Sequence, residues 1–247
     1  MNETLTRLHR RKSVRVFTDA PVDGALKTQI LEAAVQAPTA GNQQLYTILD
    51  ITDQRLKDAL AESCDHQPFI AKAPVVLIFC ADCRKWYDAY VEAGCTPRAP
   101  GPGDLLLAVD DALIAAQNAV VAADSLGLGS CYIGDIMERC AFHRQLLGLP
   151  RWVFPAAMLV LGWPTDQQRE RPKPERVDLD YVVHENGYRP LDGPALRAML
   201  NGRTGGQDWD GWVKAFHARK YDSDFSREMS RSAAAYLADF VTPEEPS

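Results

Sequence analysis

Residues 105–126 read LLLAVDDALIAAQNAVVAADSL, and this segment decides the fold class. It is apolar on nearly all sides, which is typical of a helix buried at the centre of a domain. Short β-branched or apolar runs lie before and after it, at residues 46–52, 74–80 and 156–161. Strands alternating with helices predict an α/β or α+β three-layer domain rather than a helical bundle. The strand order stays open at this point.

Amphipathic spacing predicts further helices along the chain, and Pro38 marks the end of the second of them. Residues 94–104 are dense in proline and glycine, so we expect a mobile surface loop there. No apolar stretch looks both long enough and free enough of charge to span a membrane. The predicted helices cover residues 2–10, 23–37, 53–63, 208–218 and 226–240.

The composition limits the class of protein. A chain of 247 residues with 46% hydrophobic residues can bury one substantial core or two small ones without disulfides. A net charge of −6 argues against a broad nucleic-acid footprint. The six cysteines are spread too widely for a disulfide scaffold, and no signal-like segment precedes Arg10, so we expect a reducing, cytoplasmic setting. Cys80 and Cys83 form a CxxC with no partner motif, which favours free thiols over a metal site.

The stretch RRKSVRVF at residues 10–17 concentrates four cations in this acidic chain. Arg11, Lys12 and Ser13 offer two cations and a hydroxyl, which is enough to hold a phosphate by charge-assisted hydrogen bonds. Arg15 would then reach another part of the same ligand. A solvated basic face remains the alternative, because exposed cations are the normal case. No P-loop motif or dinucleotide fingerprint is present.

Five segments follow one another along the chain in an order that is specific when taken together. They are RRKSVRVF, APTAGNQQ at 37–44, GLGSCYIGDI at 127–136, LGWP at 161–164 and KPERVDLDYVVHENGY at 173–188. On these segments the chain resembles the FMN-dependent nitroreductases from residue 5 to about residue 190, and within them the NADPH flavin reductases and oxygen-insensitive nitroreductases. The resemblance implies an α+β, three-layer sandwich with a mixed or antiparallel sheet, a core domain at 1–190, and a C-terminal extension at 191–247 that is exchanged in a homodimer.

The resemblance also implies a set of residues for FMN. Arg15 matches a cation beside the flavin pyrimidine ring, and Gln67 matches an amide that reads the pyrimidine edge; an exposed glutamine is the alternative. A loop that wraps the cofactor corresponds to Pro38, Thr39, Ala40, Gly41 and Asn42, although a simple helix-terminating turn explains the same residues. The segment beside flavin N5 corresponds to Tyr132, Ile133 and Gly134, which taken alone indicate core packing. The residues implied for the phosphate are Arg11, Lys12, Ser13, Lys173 and Arg176.

The implied activity is ping-pong reduction of nitroaromatics, quinones or flavins by NADPH or NADH, with the hydride passing through flavin N5. No protein nucleophile, general acid or metal is expected, because the cofactor carries the chemistry. Two alternatives stay open: a specialised FMN enzyme on the same fold, such as a reductive dehalogenase, a flavin-fragmenting enzyme or a dehydrogenase, and a flavin-binding module without turnover. The expected partners are a small-molecule acceptor and a second copy of the chain, with no nucleic acid and no membrane.

Overall fold

A computed structural model describes residues 1–241 of the chain. Its α-helices alternate with the strands, and short 3-10 turns lie between them. The α-helices within the described residues are α1 (Glu3–Arg10), α2 (Gly24–Val35), α3 (Gln54–Ser63), α4 (Pro68–Lys72), α5 (Arg84–Glu92), α6 (Pro102–Ser125), α7 (Cys140–Leu147), α8 (Asp166–Glu170), α9 (Gly193–Leu200), α10 (Trp209–Lys220) and α11 (Asp224–Leu237).

The strands form one four-stranded sheet in the order β1-β2-β4-β3, and every neighbouring pair is antiparallel. This confirms the α+β class and closes the question of strand order. β3 lies at one edge of the sheet, so one side of its backbone is open for pairing with another segment. The strands are β1 (Tyr46–Asp50), β2 (Val75–Asp82), β3 (Gly129–Ile133) and β4 (Val153–Gly162).

A proline stands inside the central strand β4, where it would normally remove a ladder hydrogen bond. The register between β2 and β4 shifts at this point: Phe79 faces Ala157, whereas Cys80 faces Pro155. The extra residue, Ala156, forms a β-bulge, and bulges are among the few places in a sheet that accept proline.

The sheet has a hydrophobic layer on each face. Leu77 and Phe79 of β2 join the layer with α2 and α6, whereas Val76 and Ile78 join the layer with α3 and α4. This alternation follows from the two-residue period of a strand. The sheet is therefore covered by helices on both sides, which is the predicted three-layer arrangement.

Helix α6 is the central helix that residues 105–126 predict. Its 24 residues are apolar and long enough to cross a membrane by length and composition, contrary to our expectation that no segment would be. In the fold it packs against α2 and the sheet instead. Buried alanines at its contact face let the helix approach the sheet closely, and they include Ala112, Ala115, Ala116, Ala119 and Ala123.

The CxxC cysteines are free thiols, as predicted, and so are the other four cysteines. Burial raises the pKa of both Cys80 and Cys83 to about 12. Thiols with such pKa values are protonated at neutral pH, so neither supplies a thiolate nucleophile.

Most of the predicted helices and strands are confirmed within a few residues at each end. Several elements were not predicted: strand β3 at Gly129–Ile133 and the helices α4 at Pro68–Lys72, α5 at Arg84–Glu92, α8 at Asp166–Glu170 and α9 at Gly193–Leu200. The expected loop at 94–104 is tied down, because Arg98 forms a bidentate pair with Asp104, at 2.6 and 3.0 Å, and the Gly101 amide donates to the same carboxylate at 2.7 Å.

The chain divides into two compact units. The first contains Met1–Arg171 and the segment from Glu228 onward, and the second contains Pro172–Arg227. At the end of the first unit, Tyr236 and Phe240 are fully buried in the core of the same chain. The predicted division at residue 190 and the exchange of an extension between protomers stay predictions, and residues 242–247 of that extension lie outside the described residues.

Candidate cofactor site

The basic stretch near the N-terminus lies along the open edge of the sheet. Ser13 forms a parallel bridge with Ser130 of β3, and the Val14 amide donates to the Ser130 carbonyl at 2.8 Å. A Cβ at Gly129 would lie only 2.6 Å from Val14 Cγ2, so glycine is needed for this close approach. The pairing fixes the backbone at Ser13 and Val14 against β3.

Three of the predicted phosphate and ring residues act on Cys131 of β3. The side chains of Ser13 and Arg15 form hydrogen bonds with its thiol, and Arg11 acts on it through its charge. Burial raises the pKa of this thiol, and the two cations and the hydroxyl act in the opposite direction. The structure therefore brings together the alternate residues of the N-terminal segment, as the two-residue period of an extended chain requires.

Two cations at this edge carry donors without a partner. The Nε atoms of Arg11 and Arg171 are buried and form no hydrogen bond within the described part of the chain. Arg171 also donates from its guanidinium to the Ser13 carbonyl at 2.5 Å. Buried donors without partners are rare and call for an acceptor, and the oxygens of a phosphate dianion are suitable ones. The residues present therefore fit the phosphate of FMN.

Lys12 has a different environment from Arg11 and Ser13. Its ammonium donates to the carbonyl of Arg169 at 2.7 Å and to that of Arg171. These bonds tie the segment after β4 to the N-terminal segment, which places Arg171 beside Ser13. The role of Lys12 at the phosphate stays a prediction.

Arg171 was not among the predicted residues. The only signal for it was its position in the RERPKPER run at 169–176, from which Lys173 and Arg176 were selected instead. Both of these belong to the second compact unit, Pro172–Arg227. Lys173 is half-buried and Arg176 is exposed, and their predicted contact with the phosphate stays a prediction.

Gln67 lies beside the end of the segment predicted to face flavin N5. Its Nε2 donates to Asp135 Oδ2 at 3.0 Å, and Asp135 directly follows Gly134. Ile133 is buried and contributes to the core, whereas Gly134 is exposed. The structure thus brings Gln67 and the 132–134 segment together through Asp135, which the sequence did not reveal.

A buried carboxylate anchors the predicted cofactor loop at Pro38–Asn42. Asp111 of α6 accepts from the amides of Ala40 at 2.9 Å and Leu45 at 3.1 Å. Between these anchors, Gly41 and Asn42 have φ of 58° and 57°, in the left-handed region that glycine and asparagine tolerate best. The polar interruption of an apolar helix was the sequence signal for Asp111.

Helix α6 also contacts the β3 edge. The hydroxyl of Tyr132 donates to Gln117 Oε1 at 3.4 Å, and the pKa of this tyrosine is raised to about 12 by burial, with Arg11 acting in the opposite direction. Asp111 and Gln117 are six residues apart, which corresponds to about 9 Å along a helix axis. One rigid helix therefore holds both the Pro38–Asn42 loop and the Tyr132 segment.

An aromatic cavity of about 330 Å³ lies beside the same loop. Trp86, Tyr87 and Tyr90 of α5 line it, and the Trp86 indole donates to the Gln43 carbonyl at 2.7 Å. The Arg98–Asp104 pair lies at its margin, so the segment expected to be mobile forms part of a wall. Aromatic walls with few polar groups are typical of small-molecule sites.

Comparison with known proteins places these features in a family. The Nitroreductase family model matches residues 8–163, which include the N-terminal segment, the sheet and α6. The chain is 38% identical over 197 residues to an oxygen-insensitive NADPH nitroreductase of Salmonella typhimurium, covering 79% of each protein. It is 32% identical over 240 residues to an FMN reductase [NAD(P)H] of Bacillus subtilis, covering 90% of this chain and 93% of that protein.

A solved structure gives the same result for the fold. The chain superposes on the NADPH:FMN oxidoreductase of Vibrio harveyi in complex with NAD⁺ with a TM-score of 0.79, at 27% identity, covering 94% of this chain and 98% of that one. The segments from which the resemblance was inferred thus lie within a matching sequence and a matching fold. This chain belongs to the nitroreductase family.

Proposed function

We propose that this protein is an FMN-dependent NAD(P)H oxidoreductase that reduces small-molecule acceptors such as nitroaromatics, quinones and flavins by a ping-pong cycle. The observation that carries the proposal is the buried, unpartnered Nε of Arg11 at the β3 edge, in a member of the nitroreductase family. When bound, FMN supplies the hydride-accepting and hydride-donating chemistry at N5. The polypeptide then has to bind, orient and tune the cofactor.

The phosphate end of the cofactor is assigned to the cations around Ser13. Within the described residues, Arg11 and Arg171 each offer an unpartnered Nε donor there. The Ser13 hydroxyl, which also interacts with the Cys131 thiol, is assigned as a neutral donor. Lys12, Lys173 and Arg176 complete the proposed set. Guanidinium groups suit this task because they bind phosphate with two parallel hydrogen bonds.

The ring end is assigned to Arg15, Gln67 and the 132–134 segment, and the Pro38–Asn42 loop is assigned to the ribityl chain and ring. Reduction of the ring adds negative charge on the pyrimidine side. A guanidinium there stabilises the reduced state by electrostatic attraction and raises the midpoint potential.

We also propose that the protein is a homodimer in a reducing, cytoplasmic setting. Helix α6 exposes Leu106, Leu113 and Ile114, by 64%, 39% and 41% of their surface. In the second unit, Leu179, Val182, Val183 and Tyr188 are exposed by 59% or more. Exposed apolar groups of this extent are typical of protein interfaces, and we propose a second copy of the chain as the partner. The six free thiols support the reducing setting.

The proposed function predicts a redox-active visible spectrum. The purified protein should show flavin absorption that bleaches on anaerobic addition of NADPH or NADH and recovers on addition of a quinone or a nitroaromatic. A colourless protein that takes up no FMN would contradict the proposal, and so would bound FMN that neither nucleotide reduces.

The phosphate assignment predicts weaker FMN binding after loss of Arg11. Arg11→Ala should raise the dissociation constant for FMN by about 10- to 100-fold, because hydrogen bonds to charged groups contribute about 1.5–3 kcal/mol. Adding Arg176→Ala should weaken binding further. Flavin fluorescence titration measures both effects, with the exposed Arg55→Ala on α3 as a control of equal charge change. Equal affinity for FMN in the Arg11→Ala and Arg55→Ala variants would contradict the assignment of the phosphate to Arg11.

The ring assignment predicts a change in the midpoint potential. Arg15→Ala should leave FMN bound but lower its potential by roughly 20 mV, which corresponds to about 1 kcal/mol for a two-electron couple. The shift is modest because Arg15 is exposed and partly screened by water. Arg15→Lys retains the charge and should keep most of the potential. Redox titration against a reference dye measures it, and an unshifted Arg15→Ala potential would remove Arg15 from this role.

The dimer proposal predicts a mass that depends on the exposed face of α6. Light scattering should give about twice the chain mass of 27.4 kDa for the native protein. Ile114→Asp should shift the mass toward that of one chain, because a buried unpaired charge opposes association. Val91→Asp on α5, where the native valine is 50% exposed, is the matched control and should remain dimeric. A monomeric native protein would refute the proposal.

A further inference from the structure

The amide of Gln67 is held in a single orientation. Its Nε2 donates to the Cys64 carbonyl at 2.8 Å and to Asp135 Oδ2 at 3.0 Å. A primary amide nitrogen has two hydrogens, so both of its donors are used. Rotation of the amide by half a turn would place Oε1 against two acceptor oxygens. Gln67 can therefore offer a ligand its carbonyl oxygen and no donor.

The backbone holds Gln67 from the other side. Asp65 and His66 have φ of 60° and 50°, a conformation that is uncommon for residues other than glycine. The backbone N–H of Gln67 donates to the Ala61 carbonyl at 2.8 Å, and this hydrogen bond holds the turn against the end of α3. A strained turn that precedes a side chain with both donors occupied indicates a rigidly placed group.

Asp135 is the only side chain among the described residues that bonds to this amide, since the other acceptor is the backbone carbonyl of Cys64. It directly follows Gly134 and begins a short 3-10 turn, Asp135–Met137. Its surroundings are acidic: burial first, and then Asp135, Asp65 and Glu228, raise the pKa of Glu138 to about 7. A carboxylate in such surroundings is stabilised by donors, and Gln67 supplies one.

We infer that Asp135 is a positioning residue, which locks Gln67 so that only its carbonyl oxygen faces the pyrimidine edge of the flavin. The inference rests on the proposed function, because it needs the flavin ring at Gln67. The pyrimidine edge of an oxidised flavin carries two carbonyl oxygens and one N–H, at N3. An amide that presents only an acceptor pairs with N3–H and repels the two carbonyl oxygens.

The test compares FMN with 3-methyl-FMN, in which a methyl group replaces the N3 hydrogen. The full-length protein with its bound flavin is exchanged against an excess of an equimolar mixture of the two, and the bound ratio is measured by chromatography. The native protein should retain FMN over 3-methyl-FMN by at least about tenfold, because the analogue leaves the Gln67 oxygen without a partner and adds a steric clash. A native ratio near one would overturn the inference.

Variants at both residues separate positioning from a general structural role. Asp135→Leu removes the acceptor, frees the Gln67 amide to rotate, and should bring the ratio close to one. Asp135→Asn keeps a carbonyl acceptor without the charge and should keep the native preference. Gln67→Met removes the amide and should behave like Asp135→Leu. Asp135→Ala gives the same comparison if the leucine variant folds poorly.

Two results would contradict the role of Asp135. If Asp135→Leu weakens both flavins equally and leaves the ratio unchanged, the residue is only structural. If Asp135→Asn loses the preference as fully as Asp135→Leu, the charge and not the orientation of the amide is responsible.

The failure of this inference can be distinguished from the failure of the proposed function. If the protein binds FMN and its flavin bleaches with NADPH, but Asp135→Leu leaves the ratio of bound FMN to 3-methyl-FMN unchanged, only the positioning role of Asp135 is refuted. If the protein binds neither flavin, both the proposed function and the positioning role are refuted.

Discussion

The pairing of the N-terminal segment with the edge strand β3 is the interaction on which the proposed site depends. It consists of the Ser13–Ser130 bridge and the hydrogen bond from the Val14 amide, and it forms only because Gly129 has no side chain. The helices that cover both faces of the sheet leave this edge open. The pairing delivers Arg11, Ser13 and Arg15 to β3 in alternation, so a local backbone contact converts a basic run into an ordered group of cations.

The other half of the proposed site is held by two carboxylates, of which Asp111 is buried and Asp135 half-buried. Asp111, which is 3% exposed, binds two backbone amides of the loop that contains residues 38–42, and Asp135 binds Gln67. A buried carboxylate is tolerated when hydrogen bonds satisfy it, and it then fixes the groups that it contacts. Ser63 and His143, 2.9 Å apart, resemble a nucleophile with its base, but both side chains are buried and out of reach of a substrate.

Periodicity predicted the core of this fold because burial determines it. Residues 105–126 are apolar on nearly all sides, so their central position follows from composition. Most of the predicted helices begin and end close to the predicted residues. Strand β3 was missed because its five residues, GSCYI, carry little hydrophobic signal and gain their stability from neighbours on both sides. The N-terminal cations of the site could be predicted because they form one basic run, RRKSVRVF at residues 10–17. Arg171 and Asp135 were not selected, because their contacts join residues 158 and 68 positions apart, and no local pattern records such a separation.

The distribution of charge along β3 explains how an acidic protein can hold an anionic cofactor. The cations Arg11, Lys12 and Arg171 collect near Ser13, which pairs with the start of this strand, whereas Asp135 and Glu138 follow its end. Five extended residues separate the two groups by roughly 15 Å. A ligand with an anionic end and a neutral ring edge that carries an N–H is complementary to this gradient, whereas a ligand with anionic groups at both ends is repelled by the acidic end.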